Sequence, residues 1–349
     1  MSFRNLSPQH MFENLGRKHS PMCSFAAAKH DDFRTWKEQT LPPVLATLGT
    51  FPERTPANPQ LCAEWEHDGL HKQRWLIDVQ EDLSAILLVN YPKNLTGNEK
   101  RPALLCWHGH GPFGKEPVMG NDSSTDMRDQ IACYNYNYGH VMARHGFITY
   151  AIDWIGAGER NDSARPNFHN QNATRDWCNL YYLHATMLGM TSISINTAHG
   201  MAATDFLLTL AHVDADRLGV MGLSGGGTMT LWTALCDERF KAAEIICYSA
   251  LWAFFGMRDI NYCGMQVAPG LYKLVDLPDL QGLLAPRPLL VDIGVYDTCF
   301  SVDEAMACYE QVKHIYAAAG HADRLELDLF PGQHAWSGCK SQPFFERHL

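Results

Sequence analysis

Hydrophobic and polar positions change their period twice along this chain, and each change marks a different kind of structure. Up to about residue 55 the sequence is polar and mixed. Within that stretch Phe33, Trp36, Leu41, Val44, Leu45 and Leu48 recur at helical spacing, predicting a helix over 31–48 that Pro42 and Pro43 kink or divide. From 61 to 91 the apolar residues alternate with polar ones. That period of two predicts strands over 61–66, 74–79 and 84–91, with His67-Asp68-Gly69 as a turn, and hence antiparallel hairpins.

After a polar loop over 92–100 the pattern becomes strand, loop, helix, repeated. Apolar strands are predicted at 103–107, 147–153, 218–223, 243–248, 288–293 and 325–330, with helices at 138–145 and 197–212. Ser301 and Glu304 read as a capping box that opens a further helix, whose apolar stripe is Met306, Tyr309, Val312 and Tyr316. Hairpins followed by strand–helix units predict an α/β fold: a mostly parallel central sheet, antiparallel N-terminal strands, and helices on both faces. Residues 1–60 read as an N-terminal helical arm and 61–349 as the main domain. Two aromatic-rich segments, 161–194 and 252–274, fall outside the repeat and read as cover for a site at the carboxyl ends of the strands. Tyr182 and Trp252 within them are candidate substrate contacts.

Composition narrows the class. A hydrophobic share of 46% over 349 residues is enough apolar mass for a large core. The net charge of −10 argues against nucleic acid or an anionic membrane surface as a partner. No run approaches the roughly 18 apolar residues of a membrane span, and residues 1–8 lack the apolar core of a signal peptide. Eleven cysteines contain no C-x-x-C pair, and Cys106 and Cys247 lie inside strand-like runs. This pattern leads us to expect reduced thiols and a cytoplasmic setting. The histidines show no H-E-x-x-H or similar spacing, so no metal site is expected. A small molecule is the expected partner, and assembly into a homo-oligomer is left open.

The chemistry concentrates at Gly222-Leu223-Ser224-Gly225-Gly226, between an apolar strand and an apolar helical pattern. This is a G-x-S-x-G elbow in the strand–turn–helix context such a motif needs, and it lifts the serine hydroxyl above the strand ends. A serine hydroxyl attacks only when a base takes its proton, and that base needs an orienting carboxylate. In chain order serine, acid, histidine, the loops after the last two strands supply Asp297 and His334. Asp292 within its strand and Asp259 are weaker alternatives for the acid. An oxyanion needs two N–H donors. Gly225 opens the helix after the serine, and His110 belongs to His108-Gly109-His110-Gly111 after an apolar strand, so their amides are the candidates. The stretch 153–160 completes no G-x-G-x-x-G, and reads as a structural turn with Glu159 and Arg160 pairing near the site.

With these residues in place the chain resembles the α/β-hydrolase superfamily, and within it the acetyl xylan esterase and dienelactone-hydrolase-like serine esterases. Trp107 to Gly111, the elbow, Leu284-Ala285-Pro286-Arg287-Pro288 with Asp297, and Gly332-Gln333-His334 carry the resemblance. It implies a serine carboxylesterase acting on short acyl esters through an acyl-enzyme, with no metal or organic cofactor and with acetylated sugars as one compatible substrate. Dienelactone hydrolases proper carry cysteine where this chain has Ser224, which counts against that activity. A serine peptidase of the prolyl oligopeptidase kind shares fold and triad order, but the roughly 60 residues before Leu61 cannot build its propeller. A non-catalytic binding protein on this fold would normally have a broken triad, and here all three positions are filled.

Overall fold

The computed structural model describes residues 4–26, 32–93, 95–162, 177–261 and 263–349. Its centre is a sheet of nine strands: β1 (Gln60–His67), β2 (Leu70–Gln80), β3 (Leu83–Tyr91), β4 (Arg101–Trp107), β5 (Ile148–Ile152), β6 (Val213–Leu223), β7 (Phe240–Ile246), β8 (Leu289–Gly294) and β9 (Leu325–Phe330). The spatial order is β1-β2-β3-β5-β4-β6-β7-β8-β9. β1, β2, β3 and β5 pair antiparallel, and every pair from β5 through β4 to β9 is parallel. This is the α/β-hydrolase arrangement, with the strand order reversing beside β4.

Alternation along the central strands explains the two layers. Ala103, Leu105, Trp107 and Val220 join one apolar cluster, while Leu104, Cys106, Met221 and Leu223 join another on the opposite face. Both faces are therefore covered, as a parallel sheet requires. β1 is the exception. It is exposed almost throughout and carries Glu64 and Glu66, charges that discourage pairing with a further strand at this edge.

The predicted strands all form, with ends shifted by a few residues. Three local expectations differ. The helix Phe33–Ala46 runs on through Pro42 and Pro43 as one element, with Asp32 capping its start and Trp36, Thr40 and Val44 burying one face. Helix Val302–Ala318 does begin after Ser301, but no capping box closes there. Glu304 instead pairs with Arg258 at 2.8 Å, which takes the carboxylate away from the helix end. A helix over Pro8–Lys18, capped by Ser7, was not legible because its residues are mainly polar. It packs on 252–257, where a Cβ added to Gly16 would lie 3.0 Å from Met257.

No helix among the described residues is long and apolar enough to cross a membrane. All eleven cysteines are free thiols, with Cys106, Cys178, Cys247 and Cys308 buried. Of the two aromatic-rich segments, residues 163–176 and Tyr262 lie outside the described residues.

Candidate active site

β6 delivers Ser224 to the carboxyl edge of the sheet, and the helix Gly225–Cys236 begins at the next residue. Ser224 sits at φ 61°, ψ −120°, a region non-glycine residues rarely occupy, so the turn is strained. Surrounding backbone holds it there. Ser224 N–H donates to the Ile246 carbonyl at 2.8 Å, and the Ser224 carbonyl accepts from Gly227 and Thr228. The sharpness of the turn also explains two glycines. A Cβ at Gly222 would lie 2.6 Å from the Gly226 carbonyl oxygen, and one at Gly226 only 2.3 Å from that of Trp107. Ser224 is half-buried, and among the described residues its hydroxyl takes no hydrogen bond.

Asp297 and His334 meet across the loops after β8 and β9. Asp297 is buried, and its Oδ1 accepts from the backbone N–H groups of Cys299 at 2.7 Å and Phe300 at 3.0 Å. Oδ2 lies 2.7 Å from His334 Nδ1. A carboxylate with two amide donors on one oxygen accepts at the other, so His334 Nδ1 donates to Oδ2. Phe300 stacks on the imidazole with ring centres 5.7 Å apart and planes 8° from parallel. Cys247 lies within 4.8 Å of the same two groups and donates to the Ala335 carbonyl at 3.4 Å. Burial, reinforced by Asp297, pushes its thiol well up, so it is neutral. Cys247 directly follows Ile246, the acceptor for Ser224 N–H, so the pair and the serine share one edge of the sheet.

The other acids are elsewhere. Asp259 pairs with Arg258. Asp292 is fully buried in β8, on the side of Glu244 and Asp328, and burial holds its carboxyl well above the ordinary value.

The loop after β4 lies against the elbow. A Cβ at Gly109 would be 2.8 Å from the Leu223 carbonyl and 3.4 Å from the Ser224 Cβ; one at Gly225 would be 3.1 Å from His110 Nδ1. Gly109 N–H is taken by the Tyr136 hydroxyl at 2.5 Å. The amides of His110 and Gly225 take no acceptor among the described residues, and Gly225 holds the first, unsatisfied N–H of its helix. Both amides are therefore left without an acceptor among the described residues, next to the elbow.

Behind the loop lies a charged network that sequence reasoning missed. Lys115 is fully buried, with Nζ 2.8 Å from Asp153 and 2.7 Å from Glu159. Arg74 also reaches Glu159, and Arg160 binds the Asp153 carbonyl and His199 rather than Glu159. His108 is fully buried, 3.5 Å from Asp153, and desolvation lowers its pKa to about 4, so it is neutral. Trp154 packs on the rings of both His108 and His110. The run of charges in 153–160 was visible, but no local spacing tied it to Lys115.

Tyr182 packs beside Gly264, and Trp252 is buried against Tyr272, lining a cavity of about 490 Å³ with Phe12, Leu15 and Met257. Ser224, Asp297 and His334 are not among the residues lining that cavity.

Comparison with known proteins places this architecture. The sequence model of the Abhydrolase family matches residues 2–334. The chain belongs to the Abhydrolase family. A Bacillus subtilis protein named "Putative hydrolase YtaP" is 24% identical over 278 residues, 79% of this chain and 86% of that one. Among solved structures, a "putative acetyl xylan esterase" from Bacteroides fragilis superposes with TM-score 0.73 at 21% identity, covering 94% of this chain and 82% of the other. A glucuronoyl esterase from Solibacter usitatus superposes with TM-score 0.68 at 15% identity, covering 95% and 97%. At these identities the structural likeness speaks for the shared fold.

Proposed function

We propose that this Abhydrolase family member is a serine-dependent carboxylic-ester hydrolase that acts on short acyl esters through an acyl-enzyme. One observation carries the reading: the strained Ser224 elbow lies on the same sheet edge as His334, whose Nδ1 is held by the buried Asp297. In this reading His334 Nε2 takes the Ser224 proton as Oγ attacks the ester carbonyl. Asp297 holds the ring in that tautomer and stabilises the imidazolium. The carbonyl oxygen gains negative charge and accepts from the Gly225 and His110 amides. His334 then returns the proton to the departing alcohol, and water repeats the sequence on the acyl-serine, regenerating the free hydroxyl.

The substrate class is supported by what the structural relatives are named for, an acetyl xylan esterase and glucuronoyl esterases. Those names favour ester-decorated carbohydrate, with a small acyl group. The test is hydrolysis of p-nitrophenyl esters from acetate to decanoate, then of acetylated sugars, with Ser224→Ala in parallel. Turnover confined to short chains and lost in the variant is the expected result. Turnover that survives Ser224→Ala would remove the serine from the mechanism. Cleavage of proline-containing peptides with esters untouched would replace the esterase by a peptidase.

A further inference from the structure

Beside the oxyanion loop, three soft donor side chains converge from separate parts of the chain. His110 follows β4, Cys178 lies in the helix Trp177–Met187, and Cys263 precedes the short turn Gly264–Gln266. Their ligand atoms all lie within 4.8 Å of one another, and His110 Nε2 is 2.9 Å from Cys263 Sγ. We propose that His110, Cys178 and Cys263 form a binding site for a soft divalent cation of the zinc class.

The donor set selects the metal. Two thiolates and an imidazole suit zinc and its neighbours, while calcium, magnesium and manganese prefer oxygen. Zinc bonds of about 2.05 Å to nitrogen and 2.3 Å to sulfur at a tetrahedral angle need ligand separations of about 3.6 Å (N to S) and 3.8 Å (S to S). Opening the His110–Cys263 contact to that value takes less than about 1 Å, within reach of a side-chain rotation. The surrounding structure supports the geometry without a metal. Asn179 Oδ1 accepts the Gly264 N–H at 2.6 Å, which ties the neighbour of one cysteine to the neighbour of the other. Trp154 packs on the His110 ring at 5.1 Å. Exposure of His110, with Cys263 half-buried, provides an entry path and leaves the fourth position to water. No spacing motif announces the site, since its ligands are 68 and 85 residues apart; this distribution is why the histidine and cysteine patterns led us to expect none.

The claim does not rest on the reaction proposed for Ser224, although the backbone amide of His110 also serves in that reading. To test it, the full chain is kept reduced with a phosphine, stripped with a chelator, and titrated with Co²⁺ and then Zn²⁺. One equivalent of Co²⁺ should bind with thiolate-to-cobalt charge-transfer absorption and tetrahedral d–d bands, and one equivalent of Zn²⁺ should displace it. Cys178→Ser and Cys263→Ser should each lose the charge-transfer intensity and weaken Zn²⁺ by more than about 100-fold, beyond the cost of losing an outer-shell partner. His334→Ala should keep both. Cobalt binding without thiolate absorption, parental affinity in the two cysteine variants, or loss of affinity in His334→Ala would overturn the site. Should Cys178→Ser fail to fold, Cys263→Ser at its half-buried position decides alone.

Discussion

Replacing Asp153 by alanine strands an ammonium group in the interior. Lys115 Nζ has two partners, Asp153 and Glu159, and is itself fully buried. The Asp153 carboxylate also accepts from the backbone N–H groups of Lys115 at 2.7 Å and Glu159 at 3.0 Å. Burial alone would raise the Asp153 pKa, but the charge and hydrogen bonds of Lys115 outweigh it and hold the group below its ordinary value. Asp153 is therefore ionised, and its removal leaves a desolvated lysine and two orphaned amides. Breaking one side of such a pair costs about 3–5 kcal/mol. Unfolding entropy of about 2.1 cal/mol/K per residue makes about 0.7 kcal/mol/K for the chain, so the melting temperature should fall by about 4–7 °C. Calorimetry on Asp153→Ala, Lys115→Met and the double variant checks this. The double variant removes charge and partner together and should recover part of the loss. A melting point within about 1 °C of the parent, or a double variant as poor as the two losses added, would refute the reasoning.

Three further outcomes follow from the same geometry. On the proposed mechanism Asp297→Asn lowers kcat by about 10⁴-fold, since the amide no longer enforces the His334 tautomer, with the fold intact by circular dichroism. Gly109→Ala pushes a Cβ to 2.8 Å from the Leu223 carbonyl and shifts the loop bearing His110; ester hydrolysis should lose about 10²–10³-fold in kcat, the value of one oxyanion donor. Stability should also depend on pH through Glu244, whose pKa burial raises from 4.5 to about 7. The folded state then keeps a proton the unfolded chain gives up, so this group's contribution falls as pH rises from about 4.5 to about 7 and stays low above, a change of about 3 kcal/mol. Glu244→Gln still accepts from Trp336 and Ser341 at its carbonyl. Its melting temperature should lose part of that slope, the buried Asp292 beside it being raised as well, and exceed the parent's at pH 8; an unchanged slope would contradict the assignment.

What could be read from sequence is what has short range or a fixed order. Period-two alternation located β1, β2 and β3, and apolar runs located the parallel strands, because burial on one or both faces leaves a direct mark on residue order. Gly222, Ser224 and Gly226 were readable because the turn admits no side chain at the flanking positions, as the 2.6 and 2.3 Å approaches make plain. Asp297 and His334 could be paired because each follows a strand end. Contacts set by packing were not readable. The capping box at Ser301 failed because Arg258, 46 residues away, competes for Glu304. Lys115 lies in no motif, and only the third dimension shows its two carboxylates. Likewise Trp252 and Tyr182 were chosen for their place outside the strand–helix repeat, which says nothing about where their rings point.

The most direct measurement is covalent labelling of the purified chain with a serine-directed fluorophosphonate, followed by peptide mass spectrometry. The account predicts one label per chain, on Ser224, strongly slowed in His334→Ala and blocked by prior incubation with a short acyl ester. Absence of label at Ser224 in folded protein, or equal labelling rates with and without His334, would contradict a His334-activated serine nucleophile.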